Sequence, residues 1–176
     1  MDTKMLMNRF GGKKVLLDEK GRPQITVLIL KPGFTKDEMI IETCQRAERE
    51  KLSLVDCSFV TYTKEAAGEH YCNKIKEPYY PELEGYMTSG KSFVMIFSGE
   101  NAISKGRTMI GATEGGPQKG SIRYDYPIMF NLEIDKTRNV IHASDSIENA
   151  LSEAKIYKKL DKSQSKSKDK NEGIEL

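Results

Sequence analysis

The chain has 176 residues, room for one domain with a sizeable core and short extensions but not for two full domains. Hydrophobic residues make up 38% and charged residues 31%, and no apolar run approaches the roughly 20 residues that a membrane-spanning helix needs. A net charge of +2 argues against a nucleic-acid partner, which calls for clustered phosphate-neutralising Lys and Arg, and the N-terminus lacks a signal-peptide core, so a cytoplasmic location is expected.

Residues 1–22 form an N-terminal extension. Within it Val15, Leu16 and Leu17 precede a turn-like Asp-Glu-Lys-Gly, a pattern expected to add a hairpin and an edge strand to the domain. The domain itself is expected over residues 23–160. Residues 25–30 (ITVLIL) and 93–97 (FVMIF) are continuous apolar runs, as in central strands covered on both faces. Thr35 and Glu38 have capping-box spacing, and Ile40, Cys44 and Ala47 follow at helical spacing, so a helix is predicted over 36–51. Residues 54–62 alternate, with Val55, Cys57 and Phe59 on one side and Asp56 and Ser58 on the other. A helical segment over 63–83 precedes the second apolar strand. After the Gly99-Glu100 turn comes a helix with Ala102, Ile103 and Ile110 inward, then a Gly-rich loop over 111–120 leading to Arg123. A short fourth strand is expected at 139–141. The last helix is expected to be capped by Asp145 or Ser146, with Ile147, Ala150, Leu151, Ala154 and Tyr157 inward. Residues 161–172 contain no apolar side chain, so 161–176 is expected to be a disordered Lys/Ser-rich tail. Strand and helix alternate four times, which implies an α+β class: a ferredoxin-like βαββαβ sandwich with a four-stranded antiparallel sheet and extra helices.

Chemistry is concentrated in few residues. His142, one of two histidines, stands between the apolar Asn139-Val140-Ile141 and the polar start of a helix. An imidazole with an ordinary pKa near 6.5 is largely neutral at physiological pH and so can act as a nucleophile, although a lone histidine also suits a structural bond to a helix terminus. His70 lies in the polar Glu69-His70-Tyr71 stretch, where a helix-surface role is expected. Lys31, Arg107 and Arg123 supply dispersed cations of the kind that polyphosphate transfer draws from several elements. Neither a P-loop nor a GxGxxG turn is present. Cys44, Cys57 and Cys72 show no metal or redox spacing and read as free thiols.

The ordered strings VLILKPGF, EHYCNKIKEPYYPEL, GYMTSG, RTMIGAT and NVIHASDSIENALSE resemble the motifs of the nucleoside diphosphate kinase family over about residues 24–157. The resemblance implies the ferredoxin-like fold, nucleoside di- and triphosphate substrates carrying Mg²⁺ on their phosphates with no protein-held metal, and a homo-oligomer, either a hexamer or a smaller dimer-based assembly. It further implies a two-step exchange in which an NTP phosphorylates a histidine and an NDP collects the phosphate. By position, His142 is similar to the phosphoryl acceptor, Glu153 to the carboxylate on its other ring nitrogen, and Ser144 to the neighbouring serine. Lys31, Tyr71, Arg107, Thr113 and Arg123 match residues that grip phosphates or brace the histidine. Asn139 matches a sugar contact, Tyr79 the aromatic that stacks on the base, and Leu83 an apolar wall of the same cleft. Departures from the family pattern are Gly33 in KPG, Glu77 before the clamp's proline, the loop after Thr113, and extra residues over 127–138. They leave a second reading, a catalytically weakened nucleotide-binding or regulatory module on the same fold.

Overall fold

Six consecutive buried residues make β1, Ile25–Leu30, and the alternation of a strand sends them to two different cores. Leu28 and Leu30 join one hydrophobic cluster, while Ile25, Val27 and Ile29 join another. The continuous apolar run is explained by helices on both faces of the sheet. The computed structural model describes residues 1–12, 14–112, 116–135 and 138–171, with side chains as far as residue 165.

Among these residues the elements run α1 (Thr3–Phe10), β1, α2 (Asp37–Arg49), β2 (Ser53–Thr61), α3 (Lys64–His70), a short 3₁₀ turn (Cys72–Lys74), α4 (Tyr80–Met87), β3 (Lys91–Ser98), α5 (Ala102–Ile110), α6 (Ile122–Met129), β4 (Ile141–Ala143) and α7 (Ile147–Asn171). The strands form one antiparallel sheet in the order β2-β3-β1-β4, which is the expected ferredoxin-like arrangement. Helices α1, α2, α5 and α6 place their buried residues in the cluster of Leu28, and α3, α4 and α7 place theirs in the cluster of Val27.

Several sequence expectations shift. The hairpin turn near the N-terminus forms, with Leu17 bridged to Pro23 and the Asp18 carboxylate accepting from the backbone of Lys20 and Arg22 at 2.9 Å each. Among the described residues it adds no strand to the sheet, which keeps β2 as its edge; just before the hairpin, Gly11 bridges to Leu54 and the Gly12 N–H donates to the Leu54 carbonyl at 3.0 Å. Gly12 lies so close to β2 that a Cβ there would meet the Ser53 Cβ at 2.6 Å. The helix α1 was not legible, since eight residues with only Leu6 and Phe10 as buried anchors give little periodicity. Helix α2 starts without the Thr35 capping box: its cap is Lys36, with no side-chain hydrogen bond, and Asp37 and Glu38 instead complement the positive end of the helix. A bulge between Leu54 and Asp56 in β2 moves Val55 to the face opposite Cys57 and Phe59, which were expected beside it.

The fourth strand begins two residues later than expected. It pairs Leu30 with Ile141, Ile29 with His142 and Leu28 with Ala143, so His142 sits within the strand and not past its end. Ser146 caps α7, its hydroxyl accepting from the Asn149 backbone at 3.0 Å.

Helix α7 continues to Asn171, through much of the stretch expected as a disordered tail; residues 172–176 lie outside the described chain. Ser and Lys do not break helices, and Gln164 gives the extension an anchor. Its amide donates to the Thr61 carbonyl at 2.7 Å and accepts from the Thr61 N–H at 3.0 Å, covering the backbone of edge strand β2. Gln164→Ala should therefore lower stability by about 1–2 kcal/mol, the loss of two net hydrogen bonds, as read by urea unfolding. An unchanged midpoint would show that the end of α7 adds nothing to the fold.

Candidate active site

Antiparallel register decides where His142 points. Ile141 and Ala143 belong to the cluster beneath α2 and α5, so the residue between them is directed to the opposite face, under α3 and α7. There Glu153, on the inward stripe of α7, receives it: His142 Nε2 and Glu153 Oε1 are 2.8 Å apart. The Ser144 hydroxyl donates to Glu153 Oε2 at 2.5 Å and accepts from the Val27 N–H at 2.9 Å. Both carboxylate oxygens are thus engaged in a buried position, Glu153 being 7% exposed. A carboxylate is an acceptor, so it holds the imidazole proton on Nε2 and leaves the Nδ1 lone pair for chemistry. Glu153→Gln should preserve the fold and slow turnover roughly 10–100-fold, the usual scale for removing the partner that orients a functional histidine. Equal rates for the variant and the parent would show that the contact is structural only.

His70 departs most from its sequence reading. Expected on a helix surface, its side chain is 1% exposed. Its ring packs between Tyr62, Tyr71 and His142, with centroids 5.8, 4.4 and 4.8 Å away, and its Nε2 lies 3.8 Å from Glu153 Oε1. The polar neighbours Glu69 and His70 concealed this, because a residue at the last position of a short helix can turn inward whatever precedes it. Burial, followed by the nearby His142, Lys31 and Lys74, holds its pKa well below the usual histidine range, so His70 is neutral.

Cations surround this pair. Lys31 leaves the end of β1, is 4% exposed, and has its pKa lowered to about 7 by burial first and then by Arg123 and Lys74. Arg123, in the first turn of α6, donates to the carbonyls of Gly111 at 2.7 Å and Ile141 at 2.9 Å, tying β4 to the end of α5. Burial, then Arg107, brings its pKa down to about 10. Gly111 makes this approach possible: its φ of +85° suits glycine, and a Cβ there would meet Ser121 Oγ at 2.4 Å. Lys31, Lys74, Arg107 and Arg123 act on one another near the engaged Glu153 carboxylate, with Asp135 offsetting part of the crowding on Lys31, and an anionic ligand would relieve the rest.

The other expected positions are distributed around this centre. Tyr71 is buried beside His70, with burial first and then Glu153 raising the pKa of its phenol. Asn139 directly precedes the strand run-in at Val140. Arg107 is exposed on α5 and lines a groove of about 880 Å³ together with Arg46, Arg49 and Lys119; His142 does not line that groove. Tyr79 is 45% exposed at the start of α4, available for stacking, whereas Leu83 is 5% exposed and packed in the core, with little surface left to wall a cleft. Glu77 is exposed in the turn before α4. Thr113 lies outside the described residues.

The class of protein is thus an α+β, ferredoxin-like fold whose sheet presents a carboxylate-braced histidine among buried cations. More particularly, the chain belongs to the nucleoside diphosphate kinase family, a family of phosphotransferases, whose model matches residues 24–162. It is 36% identical over 133 residues to the nucleoside diphosphate kinase of Halalkalibacterium halodurans, covering 75% of this chain and 86% of that one. It is 33% identical over 138 residues to that of Ginglymostoma cirratum, covering 78% and 87%. Among solved structures, the nucleoside diphosphate kinase of Encephalitozoon cuniculi matches with a TM-score of 0.69 at 32% identity, covering 76% of this chain and 88% of the other. That of Aquifex aeolicus matches with a TM-score of 0.64 at 30% identity, covering 76% and 94%.

Proposed function

We propose that this enzyme moves the terminal phosphoryl group of a nucleoside triphosphate to a nucleoside diphosphate through a phosphohistidine on His142 Nδ1. The observation that carries this reading is the hydrogen bond from His142 Nε2 to Glu153, which reserves Nδ1 as the nucleophile beneath a group of cations. In the first half-reaction the Nδ1 lone pair forms the N–P bond while the bond from the γ-phosphorus to the β-phosphate oxygen breaks, and the diphosphate leaves with those electrons. The ring becomes cationic with its Nε2–H still on Glu153, whose charge steadies it. The second half reverses these steps with another diphosphate as acceptor.

Lys31, Arg107, Arg123, Tyr71 and Thr113 are assigned to the phosphates and to bracing the histidine, Asn139 to the sugar, and Tyr79 to the base, with Leu83 supporting α4. Stacking on Tyr79 reads no base edge, so broad base tolerance follows. The two oxygens of Glu153 accept hydrogen bonds from His142 and Ser144. In this reading Mg²⁺ enters with the substrate, carried on the polyphosphate. No described helix is long and apolar enough to cross a membrane. A cytoplasmic location and assembly of several copies, a hexamer or a smaller dimer-based form, belong to the same reading; Ile128 and Met129, 69% and 54% exposed on α6, offer apolar surface for such contacts.

Initial-rate kinetics test the proposal. Double-reciprocal plots at several fixed diphosphate concentrations should be parallel, as for a carrier that is loaded and unloaded in turn. Intersecting lines would mean direct transfer between two bound nucleotides, and binding without transfer would favour the weakened module.

A further inference from the structure

The side chain of His70 is 1% exposed, and neither of its ring nitrogens has a hydrogen-bond partner. Phosphoryl transfer as described above gives this imidazole no task, and buried polar atoms normally meet a partner. Its Nε2 is 3.8 Å from Glu153 Oε1, which in turn is 2.8 Å from His142 Nε2. One ligand atom from each of the three residues lies within 4.8 Å of the others. We propose that His70, His142 and Glu153 form an inhibitory site for a borderline divalent cation, Zn²⁺ above others, occupied when nucleotide is absent.

The geometry suits that ion. Bonds of about 2.0–2.2 Å to nitrogen and oxygen place neighbouring ligands of a tetrahedral Zn²⁺ roughly 3.3 Å apart; the two pairs that include Glu153, at 2.8 and 3.8 Å, bracket that value, and the ligand atoms of His70 and His142 lie within 4.8 Å of each other. Two imidazoles and a carboxylate, with a fourth position for water, match zinc chemistry, whereas Mg²⁺ demands an octahedral set of oxygens. Lys31, Lys74 and Arg123 are the cations nearby, and they set an upper limit on affinity.

Occupancy has a chemical consequence that rests on the phosphohistidine reading. A metal on His142 Nε2 takes the lone pair left there once the ring proton moves to Nδ1, and that proton then covers the lone pair needed for attack on phosphorus. No proton is gained or lost by the ring. Zinc and phosphoryl transfer therefore exclude each other.

The test uses the full-length, nucleotide-free protein and Zn²⁺ alone. Equilibrium dialysis should give one Zn²⁺ per chain, and X-ray absorption of the loaded wild-type protein should show nitrogen and oxygen ligands with two imidazoles and no sulfur. His70→Gln should weaken binding at least tenfold with its melting transition intact, and Cys72→Ser, which removes the exposed thiol, should leave binding unchanged. Absence of binding, sulfur among the ligands, or wild-type affinity in both His70→Gln and Glu153→Gln would overturn the site. Labelling by MgATP is measured separately without zinc. Label uptake with no zinc binding sinks the metal site alone, while zinc binding with no label uptake sinks the phosphohistidine alone.

Discussion

Replacing His142 with Ala is expected to abolish both phosphoryl uptake from a triphosphate and delivery to a diphosphate, a fall of at least roughly 10⁴-fold, because a carrier mechanism has no route without its nucleophile. Nucleotide affinity should survive, or improve slightly as the cleft loses bulk, since the cations come from β1, α5 and α6 and do not depend on the imidazole. The fold should also survive: His142 is 21% exposed, and its strand neighbours Ile141 and Ala143 supply the packing. Stopped assays of transfer alongside equilibrium nucleotide binding separate these effects. Retained transfer in the Ala variant would require another acceptor.

Lys31→Met is expected to stabilise the nucleotide-free protein while weakening its hold on nucleotide. The lysine titrates at 10.5 in an ordinary setting but at about 7 in the fold, chiefly through burial. Between those values the unfolded chain keeps a proton that the folded chain has released, so stability rises with pH across that window. Below about 7 both states are protonated, and the fold carries the full cost of a buried cation, on the order of a few kcal/mol. The stabilisation by Met should accordingly be largest near pH 6 and shrink towards the ordinary lysine range of 10.5. Nucleotide binding should weaken tenfold or more, because a charge-assisted hydrogen bond is worth roughly 1.5–3 kcal/mol. Urea unfolding at acid and alkaline pH, paired with nucleotide titration, reads both effects. A gain in stability that is the same at both pH values would mean that Lys31 is not carrying a buried charge.

The two predictions show what local pattern could and could not reveal. Continuous apolar runs identified β1 and β3, since residues buried on both faces need no polar alternation, and i, i+3, i+4 spacing identified α2, α5 and α7. The string around His142 and Glu153 was legible because both partners lie in one short segment, 11 residues apart. His70 was not, because its inward turn depends on α3 packing against α7 from a distant part of the chain. Glu69 beside it, exposed and paired with Lys159, gave the segment a surface character that His70 does not share. Similarly, the end of α7 reads as a solvated tail until Thr61 is brought beneath Gln164. Where a side chain's role depends on contacts over long sequence separations, composition misleads.

The most direct test of the central claim is to incubate the purified enzyme with Mg²⁺ and γ-labelled ATP, remove free nucleotide, and locate the label. A phosphoramidate on His142 predicts label that is acid-labile and alkali-stable, that maps to the peptide containing His142, and that a subsequent diphosphate removes as labelled triphosphate. Acid-stable label, label on another peptide, or transfer to diphosphate with no labelled protein in between would contradict it.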